Sequence, residues 1–175
     1  AFIIISLIFW NLLNIKDKKI KPFFKNKIIN YFFYVLIFLI FIQVIVGAFV
    51  SGLDAGLIYQ TWPLMDYTYF PNNVVIEKIY DFFNFYDHGL VQFYHRNIAY
   101  IILIYILSIG IFIYKKNMIK LFKSYLIVTF FLLLQIVLGI FTLISGLNIF
   151  LASVHQICSL LLTLSVINLY YKYIN

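Results

Sequence analysis

Four long apolar segments constrain the fold of this chain more than any other feature of its sequence. They cover residues 31–50, 91–114, 125–144 and 149–171. An α-helix needs about 20 apolar residues to cross the hydrocarbon core of a bilayer, so each segment is long enough to span it. Only 11% of the residues are charged, against roughly 25% in soluble proteins. The sequence therefore predicts an all-α integral membrane protein built on a four-helix transmembrane bundle.

The charged residues lie between these segments and predict the topology. Loops 14–30 and 115–124 are rich in lysine, whereas loop 51–90 carries acidic residues against Lys78 alone. Lysine-rich loops stay on the cytoplasmic or matrix side of a membrane, so we place 14–30 and 115–124 there and 51–90 on the outer side. The net charge of +7 follows from these loops and not from a basic binding face, so no nucleic-acid partner is predicted.

Residues 1–13 are apolar but short, because as a helix they would rise only about 20 Å. No basic segment precedes them and no small-residue cleavage site follows, so a signal peptide is not predicted. We expect residues 1–13 to be the tail of a truncated transmembrane helix. Residues 14–30 then form an inner loop, and residues 31–175 form the bundle.

Two histidines lie inside the predicted spans. His95, followed by Arg96, is near the outer end of the second span, and His155 is near the outer end of the fourth. These two spans run in the same direction, so the two imidazoles are predicted to lie at similar depth. Because polar side chains are costly in a membrane and commonly functional there, we interpret the histidines as a pair.

A weak internal repeat supports the pairing. Gln43 and Gly47 in the first span have the same spacing as Gln135 and Gly139 in the third, and a Ser-Gly-Leu sequence follows each pair. Two helix pairs of the same orientation imply a pseudo-twofold axis along the membrane normal. Such an axis would bring His95 and His155 to opposite sides of a central cavity.

Two neutral imidazoles from facing helices are suited to the iron of a heme. Small residues lie four positions after each histidine, on the same helix face: Ala99 and Ser159. Gly47 and Gly139 would thin the other two helices and make room for the porphyrin. Arg96 is predicted to pair with a heme propionate, since a guanidinium and a carboxylate match in geometry.

Other interpretations of the same residues stay open. The histidines could bond only to backbone carbonyls or serines, and Arg96 could be an interfacial anchor that extends toward water. The glycines also suit plain helix packing, and Gln43 and Gln135 could simply bridge helices. His88, two helical turns before His95, is too far away to share one iron and is predicted to be a loop or rim residue.

Four parts of the sequence form a specific pattern: residues 47–65, with Gly52-Leu53-Asp54-Ala55-Gly56 leading to Thr61-Trp62-Pro63, residues 90–96, Gln135 with Gly139, and His155-Gln156. Together they resemble the heme A synthase family. The resemblance covers nearly the whole chain but only the C-terminal half of the family's architecture of two similar four-helix bundles. It implies that His95 and His155 ligate a resident heme b.

The resemblance also implies the activity and partners of a longer protein. Heme A synthases oxidise a methyl group of heme O to a formyl group, giving heme A for cytochrome oxidase, in the bacterial plasma membrane or mitochondrial inner membrane. The substrate site lies in the N-terminal half, so no catalytic residue is expected in this chain. Heme O, membrane lipid, heme O synthase and cytochrome oxidase assembly factors are the expected partners.

Two alternatives from other classes remain: a four-helix membrane cytochrome b that only transfers electrons, and a heme-free assembly protein. No physical role for Asp54 or the Thr61-Trp62-Pro63 turn follows from the residues themselves. We hypothesise that Gly52 and Gly56 permit a tight turn and that this loop covers the outer face of the heme.

Overall fold

A computed structural model describes residues 1–18, 21–24 and 28–174, and this part of the chain contains α-helices and no β-strand. Parts of the predicted inner loop 14–30, residues 19, 20 and 25–27, lie outside the described residues. The α-helices, in chain order, are α1 (Phe2–Lys16), α2 (Ile28–Gly52), α3 (His88–Lys115), α4 (Ile119–Ile144) and α5 (Ile149–Tyr173).

Helices α2 to α5 are the membrane spans. Each has the length and hydropathy of a membrane-crossing helix over at least 23 residues, whereas α1 is apolar but has only 15. Their side chains are apolar on nearly all faces, which soluble helices avoid. The predicted fold class, a four-helix membrane bundle, is confirmed.

Helices α2, α3 and α4 begin earlier than the hydropathy pattern predicted, α2 at Ile28 and not at Tyr31. Helix α3 begins at His88 because the Asp87 side chain accepts a hydrogen bond from the Leu90 amide (3.0 Å) and caps the first turn. Helix α4 begins at Ile119, so Lys120 and Lys123 belong to the helix and not to a loop. Lysine favours helix and can extend its ammonium group to water from the first turns of a span.

The four spans form a closed ring in which α2 packs on α3, α3 on α4, α4 on α5 and α5 on α2, while α1 packs against α5. Packing is closest within the pairs α2–α3 and α4–α5. Helices α3 and α5 therefore lie diagonally opposite each other in the ring, and they run in the same direction. We call the end of the ring where α3 and α5 begin the loop end, and the opposite end the lysine end.

The bundle is close-packed mainly in its lysine half. Fully buried side chains from all four spans meet there: Phe33, Leu36, Ile106, Ile109, Val128, Val166 and Tyr170. Toward the loop end, fewer residues of the four spans are buried, and those that are lie mainly at the start of α3, as Leu90 and Val91 do. The ring is thus solid at one end and looser at the end that carries the histidines.

Hydrogen bonds between aromatic side chains and backbone fix the connection between α1 and α2. The Tyr170 hydroxyl donates to the Phe23 carbonyl (2.6 Å) and lies 2.8 Å from the Tyr34 hydroxyl. The indole nitrogen of Trp10 donates to the Lys21 carbonyl (3.2 Å). These hydrogen bonds satisfy backbone carbonyls that the packing of Trp10 and Tyr170 partly buries.

The burial of residues in the bundle core predicts that alanine substitution of two isoleucines on α3 lowers the free energy of unfolding by different amounts. Ile109 is 0% exposed and Ile111 is 58% exposed. Ile109→Ala should leave a cavity and lower the free energy of unfolding by about 2–5 kcal/mol, whereas Ile111→Ala should have a much smaller effect. Unfolding of the purified variants in detergent measures both, and equal losses would contradict the assignment.

Candidate functional site

His95 packs against two residues of α2 that lie one helical turn apart. The amide nitrogen of Gln43 lies 3.4 Å from Nε2 of the imidazole and donates to the backbone carbonyl of His95 at 3.0 Å. A Cβ atom placed on Gly47 would lie 3.0 Å from Cε1 of the same ring. Gln43 therefore holds the ring, and the absence of a side chain at Gly47 leaves the space that the ring occupies.

The second helix pair repeats this arrangement. The amide nitrogen of Gln135 lies 3.1 Å from Nε2 of His155, and a Cβ on Gly139 would lie 3.0 Å from Cε1 of that ring. The spacing of four residues places the glutamine and the glycine on one face of α4, as on α2. The predicted sequence repeat thus corresponds to two equivalent Gln–Gly–His units in the structure.

The two histidines lie on α3 and α5, which are diagonally opposite in the ring and run in the same direction. Both side chains are half-buried. The two Gln–Gly–His units therefore occur at the looser, loop-end half of the bundle, as the sequence predicted from the depth of the histidines.

Each unit contains buried polar atoms without a partner. Nδ1 of His95 and of His155, and Oε1 of Gln43 and of Gln135, make no hydrogen bond. A glutamine amide can either donate to Nε2 or, rotated, accept from it. In both cases one nitrogen of each imidazole is left unpaired. Unpaired buried polar groups are rare and costly, so each unit has polar atoms that a further group could bind.

The donor set restricts what that group can be. Among the described residues there is no cluster of three or more His, Cys, Asp or Glu side chains that could hold a bare metal ion. Two imidazoles alone suit a metal that brings its own equatorial ligands, as iron in a porphyrin does. The residues present therefore fit a heme better than an isolated ion.

Ala99 and Ser159 both lie half-buried one turn after their histidines. The Ser159 hydroxyl donates to the Gln156 carbonyl (2.6 Å), so its proton is used within α5. Their predicted role of leaving room for a porphyrin stays a prediction. His88, predicted to be a loop or rim residue, is the first residue of α3 and is half-buried at the loop end.

Arg96 binds the loop that connects α2 to α3. Its two terminal nitrogens donate to the backbone carbonyls of Tyr59 (3.0 Å) and Leu64 (3.2 Å). The Gln92 amide, one turn earlier, donates to the same Tyr59 carbonyl (2.8 Å). The predicted pairing of Arg96 with a propionate stays a prediction, and Nε of its guanidinium is buried without a partner.

The same loop segment is tied to α3 at further points. The indole nitrogen of Trp62 donates to the Tyr100 hydroxyl (3.2 Å), and the Tyr69 hydroxyl donates to the Asn97 side chain. The Thr61 hydroxyl donates to the Leu64 carbonyl (3.0 Å) and shapes the turn itself. Sequence reasoning missed this role, although the spacing by four of Gln92, Arg96 and Tyr100 was an available signal for a common face.

The beginning of the loop reaches the second helix pair. The short turn Ala55–Leu57 is buried at Ala55 and Gly56, and a Cβ on Gly56 would lie 2.6 Å from the Leu147 side chain, between α4 and α5. Asp54, before this turn, has a left-handed φ of 50°, a conformation that Asp adopts more readily than most residues. The loop therefore contacts both helix pairs.

Comparison with known proteins is consistent with these features. The chain matches the family model described as cytochrome oxidase assembly protein (COX15-CtaA) over residues 1–167. It is 44% identical over 172 residues to the heme A synthase of Pelagibacter ubique (strain HTCC1062). The aligned region covers 98% of this chain and 50% of that protein.

A second relative, the heme A synthase of Rickettsia prowazekii (strain Madrid E), is 31% identical over 176 residues, covering 100% of this chain and 52% of that protein. The chain thus spans about half the length of the curated relatives it matches. No solved structure matches it.

The contacts of Arg96 predict how the loop is held in place. Arg96→Gln removes the donors to Tyr59 and Leu64, so backbone amides of residues 59–66 should exchange with deuterium about tenfold faster, equivalent to roughly 1.4 kcal/mol of local stability. Hydrogen–deuterium exchange mass spectrometry measures this. Tyr100→Phe, which removes only the Trp62 contact, is the matched control and should have a smaller effect; unchanged exchange in Arg96→Gln would exclude the role.

Proposed function

The chain belongs to the COX15-CtaA family of cytochrome oxidase assembly proteins, an oxidoreductase-type family whose matching curated relatives are heme A synthases, and on that premise we propose that it forms the heme b-binding half of such a synthase. The observation that carries the proposal is the repetition of one Gln–Gly–His unit in two helix pairs. Each unit presents an imidazole nitrogen without a partner.

In this proposal the imidazoles of His95 and His155 would hold the heme iron. Iron would bind them in their neutral form, and a hydrogen bond to the other ring nitrogen would fix the orientation of each ring. Gln43 and Gln135 lie within hydrogen-bonding distance of the rings and can supply those bonds. Burial in an apolar bundle favours the neutral form further, because a charged imidazolium would lose its hydration.

Space for the porphyrin is proposed to come from small residues. Gly47 and Gly139 let each ring lie close to the neighbouring helix, while Ala99 and Ser159 keep the helix face below each histidine free of bulky groups. Arg96 places a guanidinium next to His95 in sequence, with Nε still unpaired. It can hold the loop through its terminal nitrogens and leave Nε available to a propionate.

When bound, a heme b supplies one-electron redox chemistry at its iron. The chain's own residues hold the group and exclude water from it, the latter through the loop bound by Gln92 and Arg96. This chain offers an electron-handling site, and we propose no catalytic residue within it.

For the longer protein, we propose oxidation of a methyl group of heme O to a formyl group, giving heme A for cytochrome oxidase. Heme O is then the substrate, and heme O synthase and cytochrome oxidase assembly factors are the proposed partners. We place the protein in a bacterial plasma membrane or a mitochondrial inner membrane, with the lysine end, which includes residues 14–30 and 115–124, on the cytoplasmic or matrix side.

Removal of either imidazole tests the ligand assignment. Reduced-minus-oxidised optical spectra of the chain purified in detergent should show a low-spin b-type heme, and His95→Ala and His155→Ala should each lose that spectrum. His88→Ala is the matched control and should retain it, since His88 lies about 10.5 Å along the helix from His95. Heme that survives both substitutions would exclude the assignment.

The two glycines that adjoin the histidines give a finer test. A methyl group at Gly47 or Gly139 would lie 3.0 Å from Cε1 of the neighbouring ring, tight enough to displace it from its preferred rotamer at a cost of about 1 kcal/mol. Gly47→Ala and Gly139→Ala should therefore weaken heme retention about fivefold.

Gly52→Ala is the matched control for that test, because a Cβ at Gly52 meets no atom within 4 Å. Heme titration of the three variants measures the effect. Equal retention in all of them would show that the space beside the imidazoles is unrelated to heme binding.

A further inference from the structure

The two Gln–Gly–His units differ in charge at the residue that follows each histidine. His95 is followed by Arg96, whereas His155 is followed by Gln156. Arg96 is half-buried, and Gln156 is exposed. The repeat therefore places a cation beside one imidazole and a neutral amide beside the other, so the two sides of the site are electrostatically unequal.

The guanidinium of Arg96 has no acidic partner to cancel its charge. Among the residues that the structure describes, no carboxylate forms an ion pair with it. Asp66 comes only two residues after Leu64, whose carbonyl Arg96 binds, but the Asp66 side chain is exposed. Arg96 is held instead by backbone carbonyls, which carry no net charge, so its positive charge stays uncompensated within the described protein.

The loop that binds Arg96 is itself firmly anchored. Tyr59, which provides one of the two carbonyls, is 3% exposed, and its hydroxyl donates to the Asn73 side chain (2.6 Å). The Asn73 backbone amide donates back to that hydroxyl (3.2 Å). Met65, next to Leu64, is 1% exposed. Each carbonyl that binds Arg96 is thus fixed by a buried side chain, which gives the guanidinium a defined position.

A fixed cation beside a redox centre shifts the balance between its two oxidation states. Iron carries one positive charge less in its reduced form, so a nearby cation favours reduction. The shift is larger in an apolar bundle than in water, because a lower dielectric constant screens the field less. A propionate paired with the guanidinium would give the same direction, since pairing cancels a negative charge that favours the oxidised form.

We propose that Arg96, held by the carbonyls of Tyr59 and Leu64, raises the reduction potential of the heme in the proposed site. Gln92 is a positioning residue in this arrangement, because it donates to the same Tyr59 carbonyl (2.8 Å) and holds the loop without adding charge. The inference rests on the proposed function, since it needs a heme between the two histidines. It goes further by giving that heme a potential set from one side.

Potentiometric titration of the heme-loaded chain in detergent tests the inference through the midpoint potential. Arg96→Gln should lower the midpoint by about 59 mV, the one-electron equivalent of a tenfold change in the ratio of reduced to oxidised protein. Arg96→Lys keeps the charge but loses the planar fork of donors, and it should retain most of the unmodified midpoint. Gln92→Leu, which leaves the charge but loosens the loop, should give a smaller fall than Arg96→Gln.

Two further variants complete the comparison. Lys78→Gln is the matched control, because it removes an equal charge from an exposed position of the same loop, and it should leave the midpoint unchanged. Gln156→Arg adds a cation at the equivalent position of the second unit and should raise the midpoint. This variant keeps the test valid if Arg96→Gln is unstable or retains too little heme.

Bound heme in the unmodified chain is measured first, by the pyridine hemochrome spectrum. No heme there would contradict the proposed function and the inference with it. Heme that is bound, with the same midpoint in the unmodified chain, Arg96→Gln and Gln156→Arg, would overturn the inference and leave the ligand assignment intact. Equal falls in Arg96→Lys and Arg96→Gln would also overturn it, because the position of the loop and not the charge would then determine the potential.

Discussion

The cost of placing an imidazole inside a membrane is the constraint on which the rest of this structure depends. An unpaired polar side chain in hydrocarbon costs several kcal/mol, and this chain carries two at equivalent positions. Each imidazole contacts a glutamine and a glycine of the preceding helix, and the glutamine–imidazole and glycine–imidazole distances are similar in the two helix pairs. The repetition argues for a shared function, because helix packing alone does not require the same glutamine–histidine contact in both helix pairs.

The division of the bundle into two halves follows from this constraint. In the lysine half, side chains such as Ile109 and Val166 fill the axis without exposure, and dense packing of this kind fixes helix positions to within small displacements. The loop half can then remain looser around the histidines without losing their alignment. The loop tied down by Gln92 and Arg96 covers that looser end.

The membrane spans could be predicted because the length of a continuous apolar segment is a direct physical requirement of the bilayer. The positions of His95 and His155 at the same end of the bundle also followed from the sequence, since they depend only on where each residue lies in two spans that run in the same direction. The start of α3 could not be predicted from hydropathy, because it depends on a local hydrogen bond that the Leu90 amide donates to the Asp87 side chain. The role of Arg96 escaped prediction because its partners are backbone carbonyls more than 30 residues away, in a loop whose path is set by tertiary contacts.

The central claim is that one heme iron lies between His95 and His155. Electron paramagnetic resonance of the oxidised, purified chain measures the ligand field of that iron directly. The account predicts a single low-spin ferric signal of the kind that two imidazole ligands produce. A high-spin signal in the unmodified chain, or no iron signal in protein prepared with heme present, would contradict it.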